Sequence, residues 1–357
     1  MAEMMSALAP MDPGDTERPG GNGFHPSAEP ATRRGPRWYG YTGFVLSGGG
    51  ARGALQVGAL LALLEHGIQP DTVVGTSIGS WNGAWLANDP TRASVERLAD
   101  AWRALHPAWV LLGREQRVSG PPQALSAALL LAAARRVASG RPALYGDTGL
   151  RLLVKRHLGG LEFERLALPL RVIATDLTHG TRAIFSTGDV ADAVLASSSI
   201  PGIFPPVRLG DTVYVDGGVL DNCGVETALA IGARRLFVLD VGYDPTHAAH
   251  AHWATAAHPD EPPPRRPNGE NTPNGLNAVL ERSADVVNRY QLEAALRRIP
   301  AGIETHALRL TTPHGGGALD FGSADEWIAH AYHSTRDYLD AALPPPVRPR
   351  VPVGAGA

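Results

Sequence analysis

The sequence predicts an α/β domain, a mostly parallel central sheet flanked by helices with its chemistry at the carboxyl ends of strands. Three observations lead there. Two short apolar runs, residues 41–46 and 71–76, bracket a segment, residues 54–66, in which Leu55, Gly58, Ala59, Ala62 and Leu63 recur at helical spacing. Two strands joined by a crossover helix pair in parallel, and a parallel sheet needs helices over both faces. Each strand also runs into a glycine-bearing turn, Gly48-Gly49-Gly50 after the first and Gly75-Thr76-Ser77-Ile78-Gly79 at the end of the second. Residues 235–241 are then largely apolar, as a strand buried on both faces is.

In chain order, residues 1–37 hold several prolines and glycines, carry acidic residues early and lack a long apolar core. They are expected to form a disordered tail with no secretory signal. One ordered domain is expected over residues 38–343. Its first helix, 54–66, stops at Gly67, which suits a glycine just past a helix C-terminus. Residues 80–87 continue from the second strand as a helix, ended before Pro90. Further helices are expected over 91–105 and 122–139, the latter opened by Pro121 and Pro122. That segment is apolar on most sides, which fits a buried or helix-packed element better than a lipid-facing cap. Its greasiest part, 124–134, is too short to cross a bilayer, for which about 20 residues are needed.

Residues 170–175 and 182–186 return to β character around the turn at 176–180, and a helix over 190–196 leads into Ser197-Ser198-Ser199-Ile200-Pro201-Gly202. A short strand, 212–215, delivers Asp216-Gly217-Gly218. Residues 248–275 are polar, proline-rich and aperiodic, and read as a long surface loop. On that background His247, His250, His252 and His258 read as solvated residues rather than a metal cluster. A helix over 276–298, a closing strand over 304–310, a last helix over 323–343 and a proline-rich tail, 344–357, complete the chain.

Composition narrows the function. The 357 residues are 44% hydrophobic and 19% charged, as in a soluble globular protein. A net charge of −3 gives no case for nucleic acid or for wholesale adsorption to an anionic membrane. The lone cysteine, Cys223, excludes an intramolecular disulfide and a cysteine-based zinc site, and reads as a small buried residue.

A serine with a glycine two residues away on each side is what a nucleophile elbow requires, because a Cβ at Gly75 or Gly79 would crowd the turn. A plain strand–turn–helix junction can carry the same residues, so the motif depends on its company. Gly48-Gly49-Gly50 after a strand offers unshielded backbone N–H groups at a helix entrance, where developing negative charge is favoured. Arg52 adds a cation able to orient that loop or to meet a charged head group. Gly48, Gly50 and Gly53 also satisfy the dinucleotide fingerprint, which calls for an acid at the end of the second strand. Ser77 stands there instead, and the hydrolase reading is favoured.

A base is the remaining need. None of the 13 histidines stands at an obvious strand end; His179, in a turn, comes nearest and reads as a surface residue. Asp216 follows a strand, and the glycines after it let another loop approach. Direct proton transfer from Ser77 to Asp216 would make a Ser–Asp dyad. An aspartate before glycine is as readily a turn former, and the residue pattern leaves the two readings even.

At this point four ordered blocks resemble the patatin-like phospholipases: Gly48-Gly49-Gly50-Ala51-Arg52-Gly53, Gly75-Thr76-Ser77-Ile78-Gly79, the stretch from Ala196 to Pro206, and Asp216-Gly217-Gly218. The Ala174-Thr175-Asp176-Leu177 turn is similar to the bacterial branch. The likeness covers about residues 41–241, with weaker support to about 343. It implies a patatin-like fold and a lipid acyl hydrolase in which Ser77 is the nucleophile and Asp216 the general base. Gly48, Gly49, Gly50 and Arg52 would form the oxyanion loop, with Gly53, Gly75, Gly79, Gly217 and Gly218 as motif glycines. It also implies a phospholipid or lysophospholipid substrate, transient contact with a membrane surface and no metal or organic cofactor. The lack of a secretory signal or a spanning segment leads to the expectation of a cytoplasmic location. The family pattern would carry a proline near Gly224, which this chain lacks. Two other classes stay open: a non-catalytic lipid-binding or regulatory protein on the same fold, and a dinucleotide-binding protein. Esterase activity that depends on Ser77 separates them.

Overall fold

The computed structural model describes residues 41–113, 131–242, 276–314 and 316–343. The expected tails, 1–37 and 344–357, the 248–275 loop with its histidines, and residues 122–130 of the expected 122–139 helix lie outside them; residues 131–138 are helical. Strands β1 (Thr42–Leu46), β2 (Thr72–Thr76), β3 (Leu170–Asp176), β4 (Thr181–Phe185), β5 (Val207–Leu209), β6 (Thr212–Asp216), β7 (Arg235–Asp240) and β8 (Glu304–Arg309) form an eight-stranded sheet. Its order is β5-β6-β3-β2-β1-β7-β8, with β4 also paired to β3. β1, β2, β3, β7 and β8 run parallel, β4 and β6 pair antiparallel with β3, and β5 pairs antiparallel with β6. The sheet is thus mixed but mostly parallel.

Alternation along the strands sorts the core into two layers. Phe44, Leu46, Val73, Phe237 and Leu239 face one side, where α1 (Gly53–Glu65), α2 (Ile78–Asn88), α3 (Arg92–Arg103) and, later in the chain, a helix over Ala324–Ala342 pack. Val45, Val74, Leu236 and Val238 face the other, against Val225, Ala228 and Leu292. The central strands are greasy throughout because both faces are covered, the burial that a parallel sheet demands. Cys223 lies in the second layer as a free, buried thiol.

The remaining helices are α4 (Pro107–Leu112), α5 (Thr148–Leu158), α6 (Val190–Ser197), α7 (Val225–Ala230), α8 (Leu276–Arg297) and α9, the one over Ala324–Ala342. The sequence reading leaves α4, α5 and β5 unassigned. In α5 the buried residues Leu150, Leu153, Val154 and Leu158 do follow helical spacing. α4 is only six residues long and β5 three, too short for either period to register.

The topology decides where the site forms. Val172 and Ile173 bridge β2 and β4, whereas Ala174, Thr175 and Asp176 bridge β4 and β6. A strand residue has two edges, so β2 and β6 must share one edge of β3. They meet head-on: β2 climbs to Thr76 opposite Ile173, and β6 descends to Asp216 opposite Ala174. The residue after Thr76 therefore faces the last residue of β6. On the other side of β2, Leu46 pairs with Gly75, which brings the loop after β1 to the same level.

Candidate active site

Ser77 is that next residue. It caps α2 with φ 53° and ψ −126°, the one non-glycine residue with positive φ among the described residues. Such a conformation costs on the order of 1–3 kcal/mol and persists only when its surroundings hold it. The restraints are specific. The Ser77 N–H donates to Ser197 Oγ at 2.8 Å, and Ser197 Oγ–H donates to the Ile173 carbonyl at 2.6 Å. The Ser77 carbonyl accepts from the Ser80 N–H at 2.9 Å and from the Ser80 hydroxyl. Gly79 lets the turn press against β1: a Cβ there would overlap the Leu46 carbonyl and stand 2.7 Å from that of Ser47. Gly75 is in β2 one residue before its end, under the first turn of α2.

The Ser77 hydroxyl donates to Asp216 Oδ2 at 2.6 Å. The other carboxylate oxygen accepts the Gly218 N–H at 2.8 Å, and the backbone of Asp216 is tied to Thr175 and Ser199. Gly217 and Gly218 follow as a short 3-10 turn. Ser77 and Asp216 are both buried, at 5% and 6% exposure. Burial pushes the Asp216 carboxyl up to about 6, against the pull of its hydrogen bonds from Ser77 and Gly218. At neutral pH it is mostly ionised and basic enough to take a hydroxyl proton in a transition state.

The loop after β1 carries the predicted donors. Gly48 packs beside the serine, and a Cβ on it would lie 2.9 Å from Ser77 Cβ. Its N–H, however, donates to Asn222, to Oδ1 at 3.1 Å and to the carbonyl at 3.4 Å. Ala51 and Arg52 also spend their N–H groups, on Ala318 and Gly49. The amides of Gly49 and Gly50 have no hydrogen-bond partner among the described residues. Of the three glycine amides expected to meet an oxyanion, these two are available. Gly53 opens α1 behind them. Arg52 is buried, and its Nη2 pairs with Asp285 of α8 at 3.0 Å, which ties the loop to that helix.

Beneath the loop lies a buried polar network that the sequence reading missed. Gln56 donates to the carbonyls of Ser47 and Leu239, Asn82 donates to Gly53 and to Gln56, and Trp102 donates to Asn82. Buried amides without partners are costly, so this closed set fixes how α1, α2 and α3 meet under the site. Ser197 and Asn222 were also missed. Polar residues in helices and loops carry no periodic signal that would single them out.

The rival groups lie elsewhere. His179 is exposed and its ring bonds Asp176 Oδ2 at 2.7 Å, not the serine. The Cys223 thiol is pushed well above its ordinary value by burial and by Asp240 and Asp221, so it stays protonated. Among the described residues no group of three histidine, cysteine, aspartate or glutamate side chains could hold a metal ion.

A family model described as patatin-like phospholipase matches residues 44–229, a span that includes the glycine loop, Ser77 and Asp216. The patatin-like phospholipase domain-containing protein 7 of Rattus norvegicus is 30% identical over 200 residues, covering 56% of this chain and 13% of the relative. A lysophospholipase, nte1, of Aspergillus terreus is 29% identical over 311 residues, covering 84% of this chain and 18% of the relative. The chain spans less than a fifth of the length of these curated relatives. Among solved structures, VipD from Legionella pneumophila is similar at 20% identity and a TM-score of 0.32, over 51% of this chain and 46% of that one.

Proposed function

The chain belongs to the patatin-like phospholipase family, and from that premise we propose that it is a lipid acyl hydrolase working through a Ser77–Asp216 dyad. The carrying observation is the 2.6 Å hydrogen bond from the strained, elbow-held serine to a buried carboxylate. Asp216 accepts the Ser77 proton as Oγ attacks the ester carbonyl. The N–H groups of Gly49 and Gly50 receive the developing oxyanion, and the start of α1 behind them favours negative charge. The alcohol leaves with the proton from Asp216, and the acyl group stays on Ser77. Water then gives a proton to the same carboxylate, attacks the acyl-serine and releases the fatty acid as Asp216 returns the proton to Oγ. Each proton transfer passes between Asp216 and Ser77, the leaving alcohol or water, with no cofactor assigned a role.

The substrate class is a phospholipid or lysophospholipid, supported by the lysophospholipase names among the relatives. Transient contact with a lipid surface belongs to the same reading. Val219 and Leu220, directly after the dyad loop, are exposed, as are Val286, Val287 and Tyr290 on α8. The two groups adjoin, because Gln291 of α8 donates to the carbonyls of Gly218 and Val219 at 3.1 and 3.4 Å. Such a patch beside a site suits a lipid aggregate. No helix among the described residues is long and apolar enough to cross a membrane.

The test is hydrolysis of a soluble p-nitrophenyl ester and of lysophosphatidylcholine by the purified protein and by Ser77→Ala, with a fluorophosphonate probe alongside. The parent is expected to hydrolyse and to label at one site, and Ser77→Ala to do neither. Parental activity in Ser77→Ala would refute the dyad.

A further inference from the structure

We propose that Asn222 is the positioning residue of the oxyanion loop, setting the direction of the Gly49 N–H by holding both polar groups of Gly48. The inference rests on the hydrolase reading and goes beyond it to a residue that touches neither substrate nor Ser77.

Asn222 is 2% exposed, so its side-chain amide must find partners inside the protein. Both of its ends go to a single residue 174 positions away. Oδ1 accepts the Gly48 N–H at 3.1 Å, and Nδ2 donates to the Gly48 carbonyl at 3.2 Å. The second bond matters most. A trans peptide is planar, with its C=O and N–H pointing in opposite directions. The described residues contain no cis peptide. Fixing the Gly48 carbonyl toward Asn222 therefore turns the Gly49 N–H away from Asn222. That N–H has no partner among the described residues, as an oxyanion donor awaiting its charge should not.

The clamp is needed because of the residues it holds. Gly48 and Gly49, the latter at φ 174°, flank this peptide and lack the Cβ that would bias it toward one orientation, so its hydrogen bonds are left to set it. Asn222 is itself anchored. Its N–H donates to Gln291 Oε1 at 2.8 Å, and Gln291 Nε2 donates to the Gly218 carbonyl at 3.1 Å. Its amide is wedged between the two loops: a Cβ on Gly48 would stand 2.5 Å from Oδ1 and one on Gly218 3.0 Å from it. One side chain thus keeps the donor loop in register with the loop that carries Asp216.

The test measures hydrolysis of a soluble p-nitrophenyl ester, with kcat expressed per site titrated by a fluorophosphonate. Asn222→Ala removes both bonds, and Asn222→Asp keeps the acceptor while replacing the donor to the Gly48 carbonyl by an oxygen. Loss of one oxyanion donor costs about 10²–10³ in kcat. Both variants are expected to lose about 10² in kcat per site with KM near the parent's, and in Asn222→Ala, which adds no charge beside Asp216, the acidic limb of the pH profile stays unmoved. That pattern separates positioning from general loosening, which lowers the number of titratable sites instead. Should the Asn222 variants fail to fold, Gln291→Ala, on a partly exposed helix face, is expected to lower kcat about three- to tenfold with the same unmoved limb. A kcat per site within twofold of the parent in the variants that fold, or a loss accompanied by a shifted acidic limb in Asn222→Ala or Gln291→Ala, overturns the proposal. A parent that neither hydrolyses nor labels removes the hydrolase reading and this inference with it, whereas an active parent with indifferent variants removes the inference alone.

Discussion

Replacing Asp216 by asparagine should abolish activity and, at neutral pH, make the protein more stable. The magnitude follows from burial. The carboxyl ordinarily titrates at 3.8 and is raised to about 6 here, chiefly because it is shielded from water. That displacement corresponds to about 3 kcal/mol of preference for the protonated form in the folded state. A carboxylate whose folded value is raised contributes stability that is fully present below its unfolded value and is lost as pH rises through about 6. Between pH 4.5 and pH 7 the loss is about 2 kcal/mol. Activity runs the other way, since Asp216 must be ionised to act as a base. With a value of about 6, kcat/KM should fall about tenfold from pH 7 to pH 5. Asp216→Asn cannot titrate, so its stability relative to the parent should grow by about 2 kcal/mol over pH 4.5 to 7, while kcat drops by on the order of 10³ or more. Urea unfolding of both proteins at the two pH values, beside a pH–rate profile of the parent, reads both quantities. Titrating groups shared by the two proteins cancel in the difference. A stability difference that does not change with pH, or an acidic limb near pH 4, would refute the reasoning that a buried, ionised Asp216 is the base.

Three further perturbations probe the scaffold and its surface. Gly79→Ala drives a methyl into the backbone carbonyls of Leu46 and Ser47, which cannot swing aside, so urea unfolding should report a loss of about 3 kcal/mol or more; an unchanged midpoint would contradict the close approach. Ser197→Ala leaves the buried Ser77 N–H and the Ile173 carbonyl without this partner, and should cost about 1–3 kcal/mol of stability by the same assay. Val287→Ser combined with Tyr290→Ser should leave soluble-ester hydrolysis unchanged while lowering hydrolysis of phospholipid vesicles at least about tenfold, since each side chain contributes on the order of 1.5 kcal/mol when buried. Equal loss on both substrates would argue against a lipid-facing patch.

Much of the site was legible because its signatures are local. A strand that turns sharply into a helix needs glycine at fixed short offsets from the serine, and a donor loop needs residues without side chains, so both motifs are written in consecutive positions. The strand–helix–strand unit was legible for the same reason, through apolar runs at 41–46 and 71–76 and helical spacing over 54–66. Asp216 was different. Its own neighbours read equally well as an ordinary turn, and only the family likeness tipped the expectation. The physical reason lies in the sheet: β2 and β6 share one edge of β3 and meet end to end, which brings together two residues 139 positions apart. The Asn222 clamp on Gly48 spans 174 positions and left no local trace at all. The sequence by itself determined the fold class and placed a glycine-bearing turn after β1 and another at the end of β2. The tertiary structure decided which aspartate meets Ser77 and which glycine amides have no partner among the described residues. Strand order and long-range hydrogen bonds are set by how whole elements pack, not by residues adjacent in the chain.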